Sequence, residues 1–314
     1  MELEPATKPT MYFIGVTTKH SSIMKLFPLW AQELGLEDVV LKGIDVKIHD
    51  DREIYRDIAS FIKSDPMSLG ALVTTHKIDM FNATKDLFDI FDSHAKFLNE
   101  ISSISKSNSK LIGHAKDPIT SGLTMNTFLP RNYWNNDGEV FIMGAGGSAL
   151  AISSYITDEK HKENIPKKII ISNRSLPRLE SAKKLLSNID TTTKFEFELC
   201  EESEENDTIL EKLSPYSLVI NATGLGKDRP GSPLTDKAYF PENSIIWELN
   251  YRGELDFMHQ ALKQEETQNL QVEDGWEYFI HGWTQVISEV FGVEVEKKIP
   301  NIKRIAEDFQ SKNK

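Results

Sequence analysis

The segment "EVFIMGAGGSALAISSYI", residues 139–156, constrains the fold most, because an apolar run stops at small residues and a helical pattern follows. Backbone N–H groups and the positive N-terminus of the helix can face a pyrophosphate at such a junction. Glycine is needed there because a Cβ would block close approach and disfavour a positive φ. The pattern predicts a dinucleotide-binding turn, with a plain structural turn as the alternative, made of Gly144, Ala145, Gly146, Gly147 and Ser148.

The end of the next strand segment, "KKIIISN" (167–173), indicates which dinucleotide is bound. NAD enzymes carry an acidic residue at this position for the ribose 2′-hydroxyl. Here the chain has Asn173, Arg174 and Ser175, with Arg178 one helical turn later. Guanidinium groups suit a 2′-phosphate, so we predict NADP as the cofactor. The alternative is a pair of solvated surface arginines.

Strand-like and helix-like segments alternate along the chain, which predicts an α/β protein with a parallel sheet covered on both faces. The predicted strands are 11–16, 39–48, 70–75, 139–144, 167–173, 194–200, 217–224 and 244–250, with a hairpin over 100–115. The predicted helices are 22–34, 53–64, 77–92, 148–157, 176–187, 255–265, 275–292 and 299–310, with a further helix starting at Asp117. The acidic run "EESEEND" (201–207) is expected to be a solvated loop.

Charge and cysteine content exclude several classes of protein. The net charge of -12 over 314 residues disfavours binding to nucleic acid or an anionic membrane. The single cysteine, Cys200, excludes an intrachain disulfide framework, and no metal-ligand spacing occurs, so we expect no metal. The start "MELEPATKPT" lacks the apolar core of a signal peptide. We expect a cytoplasmic monomer or homodimer whose partner is a small-molecule substrate.

Seven short motifs follow one another along nearly the whole chain: "IGVTTKHS" (14–21), "GALVTTHK" (70–77), "GHAKD" (113–117), "GAGGSA" (144–149), "NRSLPR" (173–178), "VINATG" (219–224) and "ELNY" (248–251). Together they resemble the shikimate dehydrogenase family. The resemblance implies a substrate domain of 1–117 and 276–314, to which the C-terminal helices return. It also implies a Rossmann-like doubly wound NADP-binding domain over 118–275.

The resemblance implies a catalytic pair, Lys77 and Asp117, that relays the hydroxyl proton when hydride leaves an alcohol carbon. The alternative is a solvated lysine at a helix start and an N-cap aspartate. For the substrate, the resemblance implies Ser21 and Tyr251 at a carboxylate, with Ser22, Thr74 and Ser105 beside them. The implied cofactor residues beyond the glycine turn and arginines are Asn221, Thr223 and Gly224.

Several substrate positions depart from the family pattern. Where the family has serine, two asparagines, threonine and glutamine, this chain has Ile23, Leu72, Ser105, Lys116 and Gly282. Unpaired buried hydroxyls cost about 1–3 kcal/mol each, so shikimate itself is disfavoured. The chain also places basic residues near these motifs, namely Lys116 with His20, His76, His114 and His281. Together they predict a more basic pocket and an acidic or differently hydroxylated substrate, although each histidine alone is typical of a structural residue.

We therefore expect an NADP-dependent oxidoreductase acting on a small hydroxylated, carboxylated substrate other than shikimate. One alternative is a non-catalytic ligand sensor on the same fold, which the substitutions would permit. Another is a true shikimate dehydrogenase with a rearranged pocket.

Overall fold

The computed structural model describes residues 3–161, 164–227 and 229–312. The chain separates into two compact units: one takes the residues up to Lys116 and those from Ile280 onward, and the other is Asp117–Phe279. Each unit contains one six-stranded sheet.

The strands are numbered in chain order. They are β1 (Thr10–Gly15), β2 (Val40–Asp45), β3 (Ser68–Val73), β4 (Ile90–Phe91), β5 (Ser103–Ser107), β6 (Lys110–His114), β7 (Val140–Met143), β8 (Lys168–Asn173), β9 (Lys194–Leu199), β10 (Leu218–Asn221), β11 (Ile245–Glu248) and β12 (Gln271–Glu273).

The helices are numbered in the same way. They are α1 (Ile23–Leu34), α2 (Arg52–Ser64), α3 (Lys77–Thr84), α4 (Ser93–Leu98), α5 (Asp117–Phe128), α6 (Gly147–Ile156), α7 (Leu176–Leu186), α8 (Ser203–Leu210), α9 (Asp256–Leu262), α10 (Glu265–Gln268), α11 (Trp276–Phe291) and α12 (Ile299–Lys312).

The first unit has a mixed sheet with strand order β2-β1-β3-β5-β6-β4. Strand β1 is parallel to β2 and β3, whereas the β5–β6 hairpin runs antiparallel to β3. Every residue of β1 is buried, as expected for a central strand whose two faces are both covered. The hairpin turns at Asn108 and Ser109, both with positive φ, which confirms the predicted hairpin.

The C-terminal helices pack in this first unit, as predicted. Helix α12 lies against α1, where Glu33 accepts hydrogen bonds from Lys298 and Asn301, each at 2.9 Å. In α11, Val290 lies over Gly70 of β3, so close that a Cβ on Gly70 would be 3.0 Å from its methyl group. Glycine at position 70 therefore gives α11 room to approach the sheet.

The second unit has an entirely parallel sheet with strand order β12-β11-β10-β7-β8-β9. Counted from β7, this is the doubly wound order in which the direction of winding reverses between β7 and β10. Ligands of such sheets bind in the crevice at the carboxyl ends of the strands beside that reversal. The α/β fold class with a Rossmann-type unit is thus confirmed.

Three local predictions were wrong. The helix predicted over 77–92 ends at Thr84, whose hydroxyl bonds back to the Met80 carbonyl, and Ile90–Phe91 form the short strand β4. The acidic run 201–207 is not a solvated loop, because α8 begins at Ser203 with a capping box between Glu202 and Glu205. Acidic side chains favour the first turn of a helix, which a count of charge overlooks. Strand β12 was missed because it has only three residues.

Within the described residues, no helix is both long enough and apolar enough to cross a lipid bilayer.

Candidate functional site

The glycine turn follows β7 at the reversal point of the second sheet. Gly144 has φ +113, and a Cβ there would lie 2.6 Å from the carbonyl oxygen of Ala222. Its N–H donates to the Ser172 carbonyl at 2.8 Å. Gly144 is therefore required by the protein's own packing, because the loop after β10 passes directly over it.

Gly146 is a glycine for a different reason. It precedes α6 with φ −95, an ordinary conformation, and a Cβ there would meet no atom within 4 Å. Ala145 is buried, whereas Gly146, Gly147 and Ser148 are half-buried at the start of a ten-residue helix. Open space in front of a helix N-terminus matches the close approach of a phosphate, so the turn fits a pyrophosphate.

The end of β8 presents two arginines. Asn173 accepts a hydrogen bond from the Ser175 N–H at 3.0 Å, which fixes the turn that carries Arg174. Arg174 and Arg178 are both exposed, and the guanidinium group of neither forms a hydrogen bond or ion pair with any residue that the structure describes. The two guanidinium groups are thus available to an anionic ligand, as a 2′-phosphate would require.

The loop after β10 is held by its own side chains. Buried Asn221 accepts hydrogen bonds from the backbone N–H and the hydroxyl of Thr223, at 3.1 and 2.7 Å. Gly224 follows with φ +78. Residues Asn221–Gly224, called the cofactor loop below, therefore have a fixed shape where they meet the glycine turn.

Glu248, at the end of β11, is a residue that the sequence predictions missed. It is fully buried, and it accepts hydrogen bonds from the Asn221 side chain at 2.7 Å and the Asn250 N–H at 2.8 Å. Burial is the main cause that raises the pKa of Glu248 to about 7. An acidic residue ending an apolar strand, "IIWE", was the available signal.

Tyr251 lies just beyond this strand in an aromatic group. Its ring centroid is 4.5 Å from that of Phe279 and 5.7 Å from that of Trp276. The ammonium group of Lys227 lies over the ring at 5.7 Å from its centroid. The ring is therefore held by packing, and the phenol is half-buried.

In the first unit, the loop after β1 carries Ser21 and Ser22. Thr18 anchors this loop, because its N–H and its hydroxyl both donate to Asp45 Oδ1, at 2.8 and 2.6 Å. Gly43 makes room for that anchor, since a Cβ on Gly43 would lie 2.0 Å from the Thr18 hydroxyl oxygen. Ser21 and Ser22, both half-buried, then lead directly into α1.

Thr74 and Lys77 follow β3 at the same edge of the sheet. The Thr74 N–H donates to the Ile14 carbonyl at 3.1 Å, which places Thr74 beside the end of β1. Lys77 is half-buried and begins α3, and its carbonyl accepts from the Ile101 N–H at 3.0 Å. The loop with the two serines, Thr74 and Lys77 are thus brought to one edge of the first unit.

Ser105 lies away from that edge. It pairs with Gly70 inside the sheet, and its hydroxyl is 2.9 Å from His114 Nε2. Ser102 lies at the edge instead, where its carbonyl accepts from the Val73 N–H at 2.9 Å and its hydroxyl accepts from the Lys116 N–H at 2.7 Å. Counting the hairpin register back from its turn would have identified Ser102.

Three of the residues expected to make the pocket more basic lie beside carboxylates or are buried. Lys116 pairs with Glu289 of α11. His114 lies between carboxylates, with Nδ1 3.5 Å from Asp92 and Nε2 3.4 Å from Glu289. His76 is fully buried beside the Tyr55 hydroxyl, and burial lowers its pKa, which favours the neutral ring. Carboxylates therefore lie against Lys116 and His114, and the neutral ring is favoured at His76.

The two members of the predicted catalytic pair belong to different units. Lys77 is in the first unit, whereas Asp117 is buried at the start of α5 in the second. Their pairing stays a prediction. Among the described residues, no group of three or more histidine, cysteine or acidic side chains could hold a metal ion.

Comparison with known proteins supports a distant relationship. No protein-family model matches the chain. Over 171 residues it is 24% identical to the shikimate dehydrogenase (NADP(+)) of Lactococcus lactis, which covers 54% of this chain and 57% of that enzyme. The chain thus spans about three-fifths of the length of the curated relatives it matches.

Two solved structures show the same fold over nearly the full chain. The shikimate 5-dehydrogenase of Listeria monocytogenes, in complex with shikimate and NAD, has a TM-score of 0.71 at 18% identity, covering 98% of this chain and 99% of that one. The quinate dehydrogenase of Corynebacterium glutamicum, in complex with NAD, has a TM-score of 0.71 at 17% identity, covering 97% and 99%. The resemblance to this family, inferred from motifs, is confirmed.

Proposed function

Because this chain is a distant relative of the shikimate dehydrogenases, we propose that it is an oxidoreductase that uses NADP. It transfers a hydride between NADP and a small hydroxylated, carboxylated substrate other than shikimate. Residues 118–275 would hold the cofactor, and 1–117 with 276–314 the substrate. The open glycine turn carries this proposal, together with two exposed arginines after β8 whose guanidinium groups bond to no residue within the described part of the chain.

Cofactor choice depends on Arg174 and Arg178. The solved structures of relatives include complexes with NAD, so fold alone does not select the cofactor. Two exposed guanidinium groups at the end of β8 favour the 2′-phosphate of NADP. The remaining proposed cofactor residues are Gly144, Ala145, Gly146, Gly147, Ser148, Asn173, Ser175, Asn221, Thr223 and Gly224.

NADP, when bound, would supply or accept the hydride. The chain's own task is then to hold the substrate and to move the hydroxyl proton. Lys77 and Asp117 are proposed for the proton, since an amine beside a carboxylate can accept and relay it. The half-buried position of Lys77 at a strand end suits that role.

Ser21, Ser22 and Tyr251 are proposed to bind the substrate carboxylate, and Thr74 a substrate hydroxyl, whereas Ser105 is left out because it lies inside the sheet. Ser102 joins this set because its carbonyl and hydroxyl lie at the edge with Thr74. The side chains of Leu72 and Gly282 offer no hydrogen bond at two positions where the resemblance to the family implies amides. A substrate with fewer or differently placed hydroxyls than shikimate would avoid leaving polar groups unpaired.

The proposal is tested by following NADPH formation with a panel of hydroxy acids and cyclic polyols that includes shikimate and quinate. We expect turnover of at least one compound, with shikimate slower by about a hundredfold, the cost of two unpaired hydroxyls. Lys77→Ala should reduce kcat by about 10²–10⁴-fold. Lys85→Ala, an exposed lysine at the other end of the same helix, is the matched control and should retain activity.

Three outcomes would contradict the proposal in different ways. Absence of turnover across the panel, with NADP still bound, would favour the ligand sensor. Efficient turnover of shikimate would identify a shikimate dehydrogenase with a rearranged pocket. Unchanged kcat in Lys77→Ala would remove Lys77 from the chemical step.

A further inference from the structure

We propose that Glu248 is a positioning residue that holds the cofactor loop and the segment leading to Tyr251, so that protonation of its carboxylate weakens binding of the dinucleotide. The inference rests on the proposed function only in taking NADP(H) as the ligand. It requires no knowledge of the substrate. It concerns the second unit alone.

One oxygen of Glu248 controls the cofactor loop. Glu248 Oε2 accepts from the Asn221 side-chain amide at 2.7 Å. This bond fixes the amide so that Asn221 Oδ1 faces the N–H and hydroxyl of Thr223. Because the Ala222 carbonyl lies against Gly144, the same bond also holds the loop on the glycine turn.

The other oxygen controls the neighbouring segment. Glu248 Oε1 accepts from the Asn250 N–H at 2.8 Å, one residue before Tyr251. The Asn250 side chain in turn donates to the Leu225 carbonyl at 2.9 Å, which closes the network onto the end of the cofactor loop. A single carboxylate therefore joins the ends of β10 and β11 at the cofactor side.

No cation balances this carboxylate among the described residues. Glu248 is fully buried, and its two hydrogen-bond partners are neutral amides. Asp274, beyond β12, is the charged group that acts on it, and that negative charge raises its pKa further. A buried carboxylate with these neighbours titrates near neutral pH, where a cell operates.

Protonation changes what the carboxylate can do. As an anion it has lone pairs on both oxygens and accepts both N–H groups. A proton turns one oxygen into a donor and removes the charge that strengthens both bonds. Loss of that strength loosens Asn221 and Asn250 together, because both depend on the same group.

The test is a fluorescence titration of NADPH from about pH 6 to about pH 8 for the wild type and Glu248→Gln. Rising pH ionises Glu248, so wild-type affinity should rise with it. The 2′-phosphate of NADPH also ionises near pH 6 and changes the affinity of every variant. The quantity to measure is therefore the difference in pH dependence between the wild type and Glu248→Gln. We expect the wild type to gain about threefold to tenfold more affinity than Glu248→Gln over this range.

Two further variants make the test specific. Glu139→Gln alters a glutamate at the amino end of the same sheet, where it pairs with Lys168, and should keep the wild-type pH profile. Asn221→Ser keeps Glu248 but removes the amide that links its carboxylate to the loop, and should lose the extra pH dependence. It also keeps the test available if Glu248→Gln does not fold.

The outcomes separate this inference from the proposed function. Failure of the wild type to bind NADPH at any pH would contradict the cofactor assignment. Binding with the same pH profile in the wild type and Asn221→Ser, or in the wild type and a folded Glu248→Gln, would overturn the role of Glu248 while leaving the cofactor assignment intact.

Discussion

The carboxyl edges of the two sheets are built in different ways. At the edge of the second unit, the two turns depend mainly on their own residues: Asn173 bonds to Ser175, two residues apart, and Gly144 has the positive φ that glycine permits, although Gly144 also packs against Ala222. At the edge of the first unit, Thr18 is anchored by Asp45, 27 residues away, and Lys116 pairs with Glu289, 173 residues away. The edge that could be recognised in the sequence was therefore the one whose turns depend on their own residues.

This difference shows which parts of a site a sequence motif can predict. A turn that depends on a positive φ or an absent Cβ must be encoded by the residue itself, as at Gly144. A loop that is held by a distant residue can tolerate substitutions if that distant residue is substituted as well. The departures from the family pattern lie in the first unit, where Lys116 pairs with Glu289.

The largest expected effect tests the glycine turn at the edge of the second unit. In Gly144→Ala, the new methyl group meets the Ala222 carbonyl at 2.6 Å and the backbone is strained, at about 1–3 kcal/mol for the strain alone. We expect the midpoint of thermal unfolding to fall and NADPH affinity to drop by about a hundredfold. Thermal unfolding and fluorescence titration measure the two effects.

Gly146→Ala is the matched variant. Its methyl group meets no protein atom, so the unfolding midpoint should stay at the wild-type value. NADPH affinity should still fall by about tenfold, because the methyl group occupies the space through which a phosphate reaches the backbone. A Gly146→Ala protein that binds NADPH as well as the wild type would place the pyrophosphate elsewhere.

The sequence predicted the order of major elements because its periodicity and its turn residues agree. The buried strands "VFIM" and "LVIN" and the hairpin turn at Asn108 and Ser109 lie where predicted. It failed where short elements depend on their surroundings, as for β4, whose Phe91 stacks on Phe88.

For the site, the cofactor turn was predictable and the supporting contacts were not. Glu248 shows why, since the acidic end of the strand "IIWE" marks the residue but does not show that it lies fully buried between two amides. Ser105 shows a second reason, because one error in register moves a side chain from the sheet edge to its interior. The roles of Lys77 and Asp117 stay predictions.

A smaller effect is expected from the arginine turn at the edge of the second unit. Arg174→Ala should weaken NADP binding by about 1.5–3 kcal/mol, the value of hydrogen bonds to a charged group, and leave NAD binding nearly unchanged. Lys183→Ala, which removes an exposed cation on helix α7 just after Arg174, controls for a general loss of charge. Equal losses for NADP and NAD in Arg174→Ala would remove the 2′-phosphate contact.

The smallest effect tests the edge built from distant contacts. Thr18→Val removes the hydroxyl that donates to Asp45 but keeps the shape of the side chain. The lost hydrogen bond should cost about 1 kcal/mol, because Asp45 is exposed and water competes for it. Since Ser21 and Ser22 follow this anchor, we expect KM for the substrate to rise about fivefold while kcat and KM for NADP stay constant.

Thr18→Ser retains the hydroxyl and should restore the wild-type KM. If Thr18→Ser and Thr18→Val raise KM equally, the loop is positioned by packing and not by the hydrogen bond to Asp45. The edge of the first unit would then not depend on this distant contact, and the difference between the two edges would not hold at Thr18.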